Sequence, residues 1–158
     1  MANLALNSDR NYRGPTSYGR QPVGANVRVF VGQAMMAATG GIVNVTTGTG
    51  NDFVGFAAES VDNRTNAIPH GGAAGAVSAD VYVAGTVELL VSNGEGSWSD
   101  NDVGLTVHAT DGNTFTTTVS THVKVGKVIN VLDAVGKGAG AQTVLVYFNT
   151  AFSSLLVI

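Results

Sequence analysis

The residues best equipped for chemistry in this chain are three histidines, a group of aspartates and one glycine-flanked lysine. His70, His108 and His122 are too widely separated in sequence to show the spacing of metal ligands. Asp100-Asn101-Asp102 opens like a calcium loop, but Leu105 and Asp111 stand where that loop needs glycine and a bidentate glutamate. An Asx-type capping turn is the simpler reading. In Gly136-Lys137-Gly138-Ala139-Gly140 the lysine is followed by glycine, so no hydroxyl is placed for a magnesium ion. No Gly-x-Ser-x-Gly elbow occurs, and Asp80 and Glu88 lie too far apart along one strand to share a proton. These residues ask for no enzyme, no metal and no cofactor.

A second constellation suits binding. Arg10, Arg13 and Arg20 alternate with Tyr12 and Tyr18 in a segment without sustained periodicity that also holds Pro15 and Pro22. Arginine and tyrosine are the side chains most enriched where interfaces are strongest. Residues 1–28 carry four arginines against one aspartate, whereas the remainder carries four basic and ten acidic residues, within a net charge of -3. Residues 1–26 are thus expected to form an extended arm that docks on an acidic partner or a neighbouring copy. The acidic body argues against direct nucleic-acid contact.

The elements that would carry such groups are strands. Val77 to Val91 alternates with every odd position apolar or glycine, which is a long strand with one buried face. Gly85 in its middle predicts a bend, so that one strand serves two sheets or two halves of a barrel. Further strands are expected near 27–36, 42–45, 52–60, 105–109, 113–119, 122–131 and 143–148. Phe53 and Phe56 can share a face only if Gly55 hosts a bulge, and Gly126 predicts another break. Asp111-Gly112 reads as a two-residue type I′ hairpin turn. Residues 60–76 read as the longest loop, with short helices expected near 58–64 and near Asp100–Val103. The fold class is all-β: one small β-barrel or β-sandwich domain of about eight short strands over 27–150, with the arm before it.

Charged residues make up only 12% of the chain against 44% hydrophobic, too few charges for a fully solvated surface. Thr143–Phe148 is apolar on both faces, and residues 151–158 form an apolar tail. Leu145, Tyr147, Phe152, Leu155 and Leu156 are therefore the expected oligomer interface, in a closed trimer or alternatively a dimer. Cysteine is absent, the first residues lack the pattern of a secretion signal, and no apolar run approaches the ~20 residues that span a bilayer. Synthesis and assembly in the cytoplasm, without a membrane, are expected.

Four segments, Phe53-Val-Gly-Phe-Ala-Ala-Glu-Ser-Val-Asp-Asn63, Asp80-Val-Tyr-Val-Ala-Gly-Thr-Val-Glu-Leu-Leu-Val91, residues 100–116 and Val123-Lys-Val-Gly-Lys-Val128, resemble in order the layout of capsid cement (decoration) proteins of tailed bacteriophages. The resemblance covers residues 25–150. It implies a dimer or trimer on the outer surface of the phage head, clamping major capsid protein subunits together as part of the virion. Binding the assembled shell but not its parts stabilises by mass action, and many symmetric copies multiply the effect. The alternatives are a tail-tube or head-fibre component, and a carbohydrate-binding β-sandwich module that would use Trp98 and Tyr82.

Overall fold

In the computed structural model the described residues are 9–46, 52–67, 71–94, 97–118, 122–132 and 140–150. His70, Lys137, the tail 151–158 with Phe152, Leu155 and Leu156, and the first eight residues of the arm lie outside them. The described chain is all-β: β1 (Ser17–Pro22), β2 (Arg28–Val29), β3 (Ala34–Ala38), β4 (Gly41–Asn44), β5 (Phe53–Ala57), β6 (Val61–Asp62), β7 (Ser78–Ser92), β8 (Thr106–Ala109), β9 (Phe115–Thr116), β10 (Val123–Val131) and β11 (Ala141–Asn149). The excess over the expected eight comes from β1 and β6, which were not expected as strands, and from the stretch 27–36, which divides into β2 and β3.

The order β11-β10-β8-β9-β7, with β7 also paired to β11, closes a five-stranded barrel. Closure removes the unpaired edges that an open sheet would expose. From β7 the sheet continues outward through β5, β3 and β4. β7 is the hub, as its alternation predicts: Val87, Leu89 and Val91 point into the barrel core with Val107, Val125, Val144, Val146 and Phe148. Ala79 and Val81, earlier on the same strand, pack into a second cluster with Val23, Val29, Met35 and Ile42. Gly85 stands between the two sets at φ +154°, which side-chain-bearing residues rarely adopt.

Both expected bulges are present. Met35 and Met36 face Gly55 and Phe53, so β5 has one extra residue, and Gly55 takes φ +133°. The bulge turns Phe53 and Phe56 to the same side, where their rings meet at 5.2 Å edge-on. On β10 the register slips between Lys124 and Gly126.

Three expectations change. The hairpin of β8 and β9 forms, but its loop runs from Thr110 to Thr114 and Gly112 is not left-handed. Asp111 Oδ1 instead accepts from the backbone N–H groups of Asn113 (2.8 Å) and Thr114 (2.9 Å), an Asx turn that replaces the type I′ geometry. Residues 58–64 are not helical: Val61–Asp62 pairs with Arg28–Val29, and only Asp100–Asp102 forms a short 3₁₀ turn, capped by Ser99. The loop that follows β6 is tied down by buried Asn63, whose amide donates to the carbonyls of Gly24 and Ala73 (both 2.8 Å).

The largest change concerns the arm. Residues 17–22 are β1, paired antiparallel with β7 from Ser78 to Ala84. Upstream, Tyr12 bridges Val87, Arg13 N donates to Thr86 O, and Glu88 N donates to Asn11 O. Because β5 and β11 pair with β7 at these same positions, the arm must lie along the other edge of β7. The boundary expected at residues 26 and 27 therefore does not separate an arm from the domain: residues 17–22 are strand, and Tyr12 and Val23 form isolated bridges to the sheet.

Candidate interaction surface

Docking on β7 consumes most of the arm's chemistry. The Arg13 guanidinium pairs with Glu88 Oε1, and Asn11 Nδ2 donates to Glu88 Oε2 at 2.8 Å. The Asn11 amide first, then Arg13, hold the Glu88 carboxyl below its ordinary range. Arg20 reaches Asp80 at 2.8 Å and Glu59 at 3.2 Å. These pairs are exposed on the arginine side, and such pairs contribute little to stability. Tyr12, Tyr82 and Tyr18 form a stack with centroids 4.3 and 4.6 Å apart, and Tyr18 donates its hydroxyl to Tyr82 (3.1 Å). Burial pushes the Tyr12 phenol up, whereas Tyr82 is raised mainly by its hydrogen bond to Tyr18. Of the five arm residues singled out from sequence, Tyr18, at 62% exposure, is the large apolar side chain left open.

Arg10 is placed differently. Its guanidinium lies 5.2 Å from the Phe56 ring centroid and 5.0 Å from that of Phe115, a double cation–π contact. Nε donates to Gly32 O at 2.5 Å and Nη2 to Asn113 Oδ1 at 2.9 Å. Burial lowers its pKa to about 10.

The second set of sequence candidates lies on the far side of β7. On β11, Val144, Val146 and Phe148 point inward, leaving Thr143, Leu145 and Tyr147 outside. The apolar-on-both-faces pattern of Thr143–Phe148 therefore has a core face and an outer face. Across the outer face Leu145 sits between Glu88 and Asn130, Tyr147 between Thr86 and Lys127, and Thr143 beside Leu90. Leu132 N donates to Thr143 O, which brings Leu132 to the same row. Six large hydrophobic side chains stand exposed among the described residues, and four of them gather around this face: Leu90 on β7, Ile129 on β10, Tyr147 on β11, and Leu132 just after β10. Clustering of that kind, rather than single exposed residues, marks interaction surfaces.

Leu90, Ile129 and Leu132 were not among the residues chosen from sequence. Leu90 had a usable signal, since it breaks the alternation of β7 by placing leucine on the solvent side. Ile129 had none: the slip between Lys124 and Gly126 moves the inward positions of β10 off the odd register of Val123 and Val125, so that Val128 points in and Ile129 out.

The chemical candidates are rearranged as well. His108 and His122, distant in sequence, come to neighbouring positions because β8 pairs with β10. His108 is only 2% exposed, and its Nδ1 has no hydrogen-bond partner among the described residues. Burial first, then Lys124 and His122, lower its pKa below 6.5. Trp98, the aromatic a sugar-binding reading would use, is buried, with Nε1 donating to Val91 O at 3.2 Å. Among the described residues no group of three or more His, Asp or Glu side chains could hold a metal ion.

His108 gives a pH dependence with a definite sign. Its folded-state pKa lies below its unfolded value, so the unfolded chain binds more protons in that window. The stability is complete above about pH 6.5 and is lost as pH falls below it. Asp62, held at about 2 by Arg64 hydrogen bonds, and Glu88 add losses only at lower pH, below the ordinary carboxylate range. The melting temperature is expected to fall between about pH 7.5 and about pH 5.5. A His108→Gln variant should flatten the curve in that window and leave the more acidic limb unchanged. An identical slope in the variant would assign the effect elsewhere.

Compared with known protein families, curated proteins and solved structures, the chain finds no match.

Proposed function

We propose that this chain is a structural virion protein that binds the outer surface of a phage head and stabilises the expanded capsid by bridging major capsid protein subunits. The observation that carries the reading is the outer face of β7, β10 and β11, where four of the six exposed large apolar side chains of the described residues gather. A closed barrel with one such face is a rigid body with a place to dock, which is what a clamp requires. Self-association into a trimer or dimer uses the same kind of surface. The resemblance of residues 25–150 to cement proteins supplies the identity of the partner, and the outer surface of the virion is then the working location. Trp98 is buried, which leaves the carbohydrate-module reading without its tryptophan platform.

The test is co-sedimentation with purified heads of the phage that encodes the chain. Saturable binding to expanded heads, and not to unexpanded ones, is the expected result. Absence of binding, or rings and filaments formed by the protein alone, would support the tail-tube or head-fibre reading instead.

A further inference from the structure

Where the arm meets the barrel, a cavity of ≈ 340 Å³ opens to solvent, lined by Arg10, Leu90, Ser92, Asn113, Thr114, Phe115 and Ala141. At ~30 Å³ per water it has room for about eleven waters, enough for a side chain with an anionic head. Its one charged wall is Arg10. The other described arginines, Arg13, Arg20, Arg28 and Arg64, each lie within ion-pair reach of a carboxylate. Arg10 has no such partner among the described residues, although it is buried deeply enough for desolvation to lower its pKa to about 10. Two aromatic faces and two neutral oxygens hold the guanidinium in place, and among the described residues no carboxylate compensates its charge. A desolvated, unneutralised cation at the wall of an open cavity is a receptor for an anion.

We propose that this cavity receives a carboxylate carried by a partner polypeptide, a glutamate or aspartate side chain that completes the Arg10 ion pair. The lining suits that chemistry. Ser92, Thr114 and Asn113 offer neutral polar groups near the head group, while Leu90, Phe115 and Ala141 suit an aliphatic stem. A phosphate dianion would call for more than one positive charge, and the lining supplies one. Leu90 borders both the cavity and the apolar outer face, so an acidic side chain entering here belongs to a partner already lying on β7, β10 and β11. The inference thus deepens the docking reading and rests on it for the identity of the partner.

The experiment uses the full chain, isotopically labelled, titrated with a blocked pentapeptide, Gly-Ala-Glu-Ala-Gly. Its glutamine counterpart, sodium chloride and inorganic phosphate serve as separate controls. Saturable shifts of the Arg10 side chain and of the amides of Ser92, Asn113 and Thr114 with the glutamate peptide alone are the expected result. Asn113→Asp places a carboxylate where Oδ1 already accepts from Arg10 at 2.9 Å, and should weaken the response at least tenfold. If that variant fails to fold, Ser92→Asp provides the internal carboxylate from another wall. No saturable shift, equal response to the glutamine peptide or to salt, preference for phosphate, or an undiminished response in a folded acidic variant would each overturn the proposal. Since heads are not used, loss of head binding and loss of carboxylate binding are read separately.

Discussion

Removing residues 1–22 is expected to unfold the domain or to lower its melting temperature by about 10 °C or more. The segment supplies β1 along one edge of β7, the Tyr12 bridge to Val87 and the reciprocal hydrogen bonds of Asn11 and Arg13. Without it, Tyr82 loses both stacked rings, and Phe56 and Phe115 lose the Arg10 side chain that covers them. Burial of Tyr12 and of the Arg10 stem contributes about 1.5–3 kcal/mol each on an area basis. With the edge pairing added, the loss approaches about 5 kcal/mol, comparable to the whole stability of a small domain. Thermal melting of the full and shortened chains, followed by circular dichroism, checks this. Coincident curves would make the segment a mere appendage, as its composition first suggests.

Gly55→Ala is expected to be nearly as damaging, although it adds one methyl group. A Cβ at residue 55 would stand 2.1 Å from the carbonyl oxygen of Tyr82 and 2.5 Å from Val81 Cγ1. The oxygen belongs to the backbone of the hub strand, so relief requires β5 and β7 to move apart. The residue also holds φ +133°, where a side chain is strained whatever the space. Strain of about 1–3 kcal/mol and overpacking of a similar size add to about 2–6 kcal/mol. The bulge aims Phe53 and Phe56 into the core against Phe148, at 6.2 and 5.1 Å, so its loss would loosen the aromatic centre as well. Urea unfolding gives the measurement. A midpoint unchanged from the parent would mean that β5 tolerates a regular register here.

What sequence alone revealed follows from where side-chain pattern and burial coincide. β7 was legible because its odd positions from Ala79 to Val91 are buried, save for half-buried Val83. The bulges at Gly55 and Gly126 were legible because glycine sits where alternation fails. β1 was not, because it forms an edge with little apolar surface to hide. Its sequence Ser-Tyr-Gly-Arg-Gln-Pro turns most side chains to solvent, and Gly19 has no side chain to signal the face that meets Val83. The Asp111-Gly112 turn misled for a related reason. A glycine suited to a left-handed turn is needed here for space instead, since a Cβ on Gly112 would lie 2.7 Å from Gln33 Cγ.

The candidate surface was half legible. Leu145 and Tyr147 were readable from β11 alone, but their neighbours come from β7 and β10, and only the register assembles them into one face. The arm residues were chosen for their types, which do favour interfaces, yet β7 supplies carboxylates and aromatic rings that occupy them internally. Arg10 illustrates the point. Its sequence context marks it as one of several arm cations, and only the fold separates it from the paired ones.

Hydroxyl-radical footprinting of the protein free and bound to expanded heads addresses the central claim most directly, because it reports side-chain access at both candidate surfaces in one experiment. Strong protection of Tyr147, Leu145, Leu90 and Ile129, with Tyr18 still as reactive as in the free protein, is the expected pattern. Protection of Tyr18 while Tyr147 remains fully open would place the contact on the β1 edge and contradict the account.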